Sequence, residues 1–352
     1  MYKADYDMIV VGGGPGGYTA ALYGARAGLS VLVLEMLSPG GQMATTENVD
    51  NYPGFPEGAD GFELGEKMQQ GAHRFGAVTK FEEVKALHLE ETPKRVETGK
   101  GVYTARTVVL STGANPRRLA VPGEEALAGR GVAYCATCDG MYYRGKEVAV
   151  LGGGNSAAEE ALYLSKICPK VYLVHRRDTL RAEKSSVQAL QRAGNIEFVW
   201  NATVEGFVTG GERGSLQALV LKSTQDGHTW QLPCEGAFVA IGRVPNTALV
   251  AGKVQLDAQG YVAADETTRT SVPGVFAVGD VRTKAVRQIV TAAADGAVAA
   301  HFAQEFSRHK AGHGRRKGRP RQDNWNAFGK NGLPAAEKKT KRPRNIRCCG
   351  AF

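Results

Sequence analysis

Long apolar runs are missing from this chain. The apolar stretch nearest the N-terminus, Met8–Val11, is broken by glycines after four residues, too short for a signal-peptide core or a membrane span. A cytoplasmic setting is the expectation. Cysteine is scarce, with six residues in 352, which excludes a disulfide scaffold and leaves any Cys-x-x-Cys as a redox or metal pair. Basic excess is also missing from most of the chain. The net charge of +9 comes from residues 307–352, which hold 14 Lys/Arg and only Asp323 and Glu337, whereas residues 1–306 carry 30 basic and 33 acidic side chains. The body is mildly acidic, so the charge implies no nucleic-acid surface outside the tail.

Glycine is abundant instead, with 45 residues against a usual share of about 7%. Such an excess marks places where the backbone turns tightly or approaches a ligand. Hydrophobic residues at 43% and charged residues at 22% describe a globular chain, long enough for two domains with separate cores.

One pattern occurs twice. The apolar strand ending at Val11 runs into G-x-G-x-x-G at Gly12, Gly14 and Gly17, then a small-residue helix, then the strand Val31–Leu34 ending at Glu35. Gly12 permits the turn, Gly14 admits a pyrophosphate to the backbone, and Gly17 lets helix and strand pack closely. The helix N-terminus offers free N–H groups to phosphate. Glu35, 23 residues after Gly12, stands where a carboxylate accepts hydrogen bonds from ribose hydroxyls. The second copy is G-x-G-x-x-A at Gly152, Gly154 and Ala157, and it reaches His175-Arg176-Arg177 at the same spacing. Base replaces acid there, as a ribose 2′-phosphate requires, and Arg181 adds a further phosphate contact. The first site reads as binding an unphosphorylated adenosine, such as that of FAD, and the second as specific for NADPH.

Between the motifs lies Cys135-Ala-Thr-Cys138-Asp139-Gly140. This spacing brings two sulfurs close enough for a disulfide and lowers one thiol pKa. Half a zinc ribbon is the alternative, but no second Cys or His pair follows at suitable spacing. No metal site is expected. Asp139 is a candidate general acid, or else the turn residue of Asp-Gly. Cys168 and Cys234 stand alone in buried contexts and read as inert core thiols. A hydride donor, a flavin and a disulfide together point to two-electron transfer ending in thiol–disulfide exchange.

Residues 6–306 resemble the low-molecular-weight thioredoxin reductases, most closely at 135–140, at Gly152–Ala161 (which includes Asn155 and Ser156), at 175–178 and at 274–280. The resemblance implies an α/β fold of two Rossmann-like three-layer domains, one inserted in the other. It implies an FAD-binding domain formed by 1–115 and 247–306, and an NADPH-binding domain with the redox disulfide at 116–246. Gly279 and Asp280 resemble the late FAD motif, Arg287 and Gln288 the pair beside the flavin ring, and Gly41, Gln42 and Asn51 early flavin contacts. Ser111-Thr112-Gly113 and Ala240-Ile241-Gly242 resemble the two crossings between domains, and the connections near 113–117 and 242–247 read as hinges for an alternation of disulfide and nicotinamide at one flavin. A thioredoxin partner and a homodimer follow from the family. A dithiol oxidase relative is disfavoured by the intact His175-Arg176-Arg177. Met141-Tyr142 departs from the aromatic pair common in the family, which puts partner preference in question.

The segment 307–352 does not fit that pattern. Its charge and lack of periodicity predict disorder. A solvated extension, a polyanion tether and a mobile Cys348-Cys349 redox pair are its three readings.

Overall fold

In the computed structural model, residues 4–46, 48–210 and 214–311 are described. Strand β1 (Tyr6–Val11) enters the glycine turn, helix α1 (Pro15–Arg26) leaves it, and β2 (Val31–Glu35) returns beside β1 in parallel. Helix α2 (Gly61–His73) then leads to β3 (Val78–Phe81), β4 (Val84–His88), β5 (Lys94–Thr98) and β6 (Val102–Leu110). These form one sheet in the order β3-β2-β1-β6-β5-β4. Both faces of its parallel centre are covered, which explains the unbroken apolar run of β1. Met8 and Val10 pack with Tyr18, Ala21 and Ala299 on the helical side. Ile9 and Val11 pack with Leu87, Val96 and Val262 on the other.

The chain leaves this lobe through β7 (Ala114–Pro116) and builds a second one. There β8 (Val132–Ala133) and the short helix α3 (Ala136–Asp139) precede β9 (Glu147–Gly152), α4 (Asn155–Leu164), β10 (Lys170–Val174), α5 (Lys184–Arg192) and β11 (Ile196–Val199). Next come β12 (Ala202–Gly210), β13 (Ser215–Ser223), β14 (Thr229–Pro233) and β15 (Gly236–Ala240). A parallel sheet, β11-β10-β9-β15-β8, lies between α4 on one side and the antiparallel sheet β12-β13-β14 on the other. Val148 and Val150 of β9 face the helix, and Ala149 and Leu151 face the small sheet.

The return is through β16 (Arg243–Pro245), which pairs antiparallel with β7. The two crossings are therefore one ribbon. It is extended by Arg117 N–H to Gly242 O at 2.9 Å and Asn246 N–H to Gly113 O at 2.9 Å. Strand β17 (Val275–Ala277) then pairs in parallel with the second half of β6, and α6 (Ile289–Ala311) crosses α1. That crossing is close because it runs over glycine: a Cβ on Gly296 would lie 2.3 Å from Gly16 O. Helix α6 continues to Ala311, into the segment from residue 307 whose composition predicts disorder. The rest of the basic tail, with Cys348 and Cys349, lies outside the described residues.

Candidate active site

Steric demand separates the glycines of each motif into two kinds. Gly12 has φ +101°, and a Cβ there would sit 2.3 Å from Ser111 O; one on Gly17 would sit 2.1 Å from Gly12 O. These two lock the turn to its neighbours. A Cβ on Gly14 meets nothing within 4 Å, so the gap before the α1 N-terminus is open to a ligand. Gly41 (φ +58°) flanks the same gap, and a Cβ there would lie 3.4 Å from Gly14 Cα. Gly152 and Gly154 repeat the division: the first would clash with Ala240 O at 2.4 Å and the second faces open space. Both cradles suit a pyrophosphate on backbone N–H groups.

The strand ends beyond the cradles differ. Glu35 Oε2 accepts from Gly13 N–H at 2.6 Å, and Oε1 from Met36 and Leu37 N–H at 2.8 and 3.1 Å. These donors occupy three of about four acceptor positions of a carboxylate. In the second lobe Arg176, Arg177 and Arg181 are exposed, and none makes an ion pair among the described residues. Sequence spacing groups His175 with them, but its surroundings are different. His175 is buried, its ring lies directly under Gly153, and it meets Trp200 edge-on. Burial, then the charges of Arg181, Arg176 and Arg177, hold the imidazole below its ordinary pKa, and its Nε2 has no hydrogen-bond partner among the described residues. Asn155 ties the start of α4 to the loop ahead of α5, accepting from Glu183 N–H at 2.9 Å. Ser156 is exposed in the first turn.

Cys135 and Cys138 form a disulfide with Cα atoms 5.3 Å apart. Cys135 is the N-cap of α3, and its carbonyl accepts from Asp139 N–H at 3.0 Å. The first lobe reaches this loop from two directions. Gln288 Nε2 donates to Thr137 Oγ1 at 3.0 Å, and Asn51 Nδ2 donates to Thr137 O at 3.3 Å and to Gln288 Oε1 at 3.1 Å. Asn51, Gln288 and the disulfide loop, more than 80 residues apart in sequence, thus converge on Thr137. Burial pushes the Asp139 carboxyl up to about 6. Cys168 and Cys234 are free and buried, and burial drives their thiols up to about 11 and about 12.

The first-lobe turn at Gly279 (φ +69°) is held by Asp295, which accepts from Gly279 N–H at 2.9 Å and pairs with Lys284 Nζ at 2.7 Å and Arg282 Nε at 3.5 Å. Asp280 pairs with Arg243 at 3.7 Å. Burial raises its pKa against the opposing charges of Arg243, Arg287 and Lys284. Arg287 lies over the Tyr261 ring at 4.2 Å, and its buried Nε has no partner. Cations outnumber carboxylates here, and an anionic group fits the surplus. Gln42 Nε2 donates to Ala114 O and, at 3.0 Å, to Asn115 Oδ1, and Thr112 Oγ1 donates to Asn246 O at 2.7 Å. Gly113 and Gly242 take φ +72° and +108° where the ribbon begins and ends, and Ile241 packs on the second-lobe core.

Residues 6–296 match the pyridine nucleotide-disulphide oxidoreductase family. A thioredoxin reductase of Treponema pallidum is 43% identical over 304 residues, 86% of this chain and 98% of that one. A crystal structure of thioredoxin reductase from Streptococcus pyogenes shares 39% identity, with a TM-score of 0.80 over 86% of this chain and 98% of that chain. The Lactococcus lactis thioredoxin reductase in its FR conformation shares 38% identity, with a TM-score of 0.61 over 87% of this chain and 100% of that chain. The chain belongs to the pyridine nucleotide-disulphide oxidoreductases, in the thioredoxin reductase family. It is an oxidoreductase, and no helix among the described residues is long and apolar enough to cross a membrane.

Several residues at this centre escaped the sequence reading: Thr137, Arg243, Asp295 and Glu160. Glu160 left a trace. It stands beside Ala157, Ala161 and Leu164, the buried stripe of α4, and an acid next to a core stripe is the signal that finds it.

Proposed function

We propose that this chain is an NADPH-dependent thioredoxin reductase, passing two electrons through FAD to the Cys135–Cys138 disulfide and on to a disulfide of thioredoxin. In this reading residues 1–115 and 247–306 bind FAD through Gly12, Gly14, Gly17, Glu35, Gly41, Gln42, Asn51, Gly279, Asp280, Arg287 and Gln288. Residues 116–246 bind NADPH through Gly152, Gly154, Arg176, Arg177 and Arg181, with His175 supporting the glycine loop from below. FAD supplies hydride acceptance from nicotinamide and electron-pair delivery to the disulfide.

One observation carries the proposal: Thr137, inside the disulfide loop, is seated on Gln288 and Asn51 of the first lobe. The arginine cluster shares a lobe with that disulfide, so both must take turns at the same flavin. The paired crossings β7 and β16 supply an axis for that rotation. The TM-scores of 0.80 and 0.61 at 39% and 38% identity support two lobe arrangements among relatives. A homodimer and a cytoplasmic setting complete the reading.

Steady-state turnover on a thioredoxin panel with NADPH and NADH tests it. NADPH should be preferred by more than about tenfold, the effect of one or two charged hydrogen bonds, and Cys138→Ser should abolish transfer. A purified protein that takes up no flavin, or transfer surviving in Cys138→Ser, overturns it.

A further inference from the structure

Behind the disulfide, α4 presents a carboxyl that no step above uses. Glu160 Oε2 is buried and has no hydrogen-bond partner among the described residues. The group lies against the disulfide loop, with the Ala136 backbone N–H directed at it and Asp139 nearby on α3. Gly140, directly after Asp139, packs closely on the same helix, since a Cβ there would sit 2.9 Å from the Tyr163 ring on α4. The charged and titratable groups around the two acids are Arg243 of β16, Glu159 of α4 and Tyr143 after α3. Arg243 also pairs with Asp280 of the first lobe at 3.7 Å, so one guanidinium stands between acids of both lobes.

Resting on the reductase reading above, we propose that Glu160 is a positioning residue of the redox centre, a second proton-holding carboxyl that works through Asp139 on the Cys135–Cys138 pair. Opening the S–S bond with two electrons, from the reduced cofactor or an external dithiol, produces two thiolates. The acid pair supplies one proton and solvent the other, and both leave when the dithiol is reoxidised. Two carboxyls buried together do not ionise together, because the second must charge against the first. Burial raises Asp139 to about 6, and burial with the Asp139 charge raises Glu160 to about 7, against the opposing pull of Arg243. Between those values the pair holds a single proton, next to a thiol centre that needs one.

The test uses the full chain reduced with dithiothreitol. Iodoacetamide alkylation of Cys135 and Cys138 is followed by peptide mass spectrometry from pH 5 to 9, which separates them from the other cysteines. The wild-type profile should show two acid steps, both above the usual carboxylate range and below the thiol's own. Glu160→Gln should lose the upper step and keep the lower, and Asp139→Asn should lose the lower and move the upper down. Arg243→Gln should move the upper step up, which provides an independent reading if Glu160→Gln folds poorly. Coincident wild-type and Glu160→Gln profiles, or an upper step unmoved in Arg243→Gln, would refute the role. Alkylation needs neither NADPH nor thioredoxin, so this outcome is independent of the turnover assay.

Discussion

The two lobes make the same cradle and finish it with opposite charge. Gly12 and Gly152 both turn against a neighbouring carbonyl, and Gly14 and Gly154 both leave space before a helix. After β2, however, a carboxylate is fixed by three backbone N–H groups, whereas after β10 three exposed arginines follow a buried imidazole whose pKa burial and those charges hold below its ordinary value. The backbone solution is shared because pyrophosphate is shared. Discrimination is left to a few side chains at one strand end.

The lobes also treat buried acid differently. Asp295 in the first is paired with Lys284 and Arg282, while the Asp139 carboxyl in the second is raised by burial.

The largest test of this contrast is Gly17→Val against Gly14→Ala. The first drives a side chain into the Gly12 carbonyl, so a loss of more than about 4 kcal/mol and of flavin uptake is expected. The second should cost folding no more than about 1 kcal/mol yet still weaken dinucleotide binding; thermal melts with flavin quantification compare them. Asp295→Asn strands two buried cations and should cost about 3–5 kcal/mol in urea unfolding. Asp139→Asn should do the opposite above pH 7. A carboxyl raised from 3.8 to about 6 on folding stabilises the fold fully only below the lower value, and that contribution is lost as pH rises through the upper. Removing the charge should therefore add up to about 3 kcal/mol at pH 8 and little at pH 4, measurable as Tm against pH. Arg176→Ala with Arg177→Ala should raise KM for NADPH about 10–100-fold and leave NADH nearly unchanged. The smallest effect is expected across the lobes: Thr137→Ala removes the Gln288 bond, worth about 0.5–1.5 kcal/mol, and stopped-flow flavin reoxidation should slow by roughly two- to tenfold.

The fold class was legible from local chemistry. Strand, glycine turn and helix at Gly12 and Gly152 are fixed by backbone sterics, which short spacings report directly, and the Cys135–Cys138 spacing is equally local. Residues defined by distant partners were not legible. Nothing near Thr137 announces Gln288, 151 residues away, and nothing near Ala114 announces its pairing with Pro245. His175 shows the limit of grouping by adjacency. Leu173, Val174 and, one residue past β10, the ring of His175 are all buried, while Arg176 and Arg177 beyond them are exposed.

The return of β17 to β6 has a consequence for biogenesis. Val275 and Ala277 complete the core that Ile9 and Val11 begin, whereas the sheet of the inserted lobe lies within 132–240. During synthesis the early segment must wait, its β6 edge uncapped, until nearly the whole body has left the ribosome. The inserted lobe, contiguous in sequence, is free to close first. The earliest strands made are thus among the last to be sealed, and the length of that wait is set by the insertion itself.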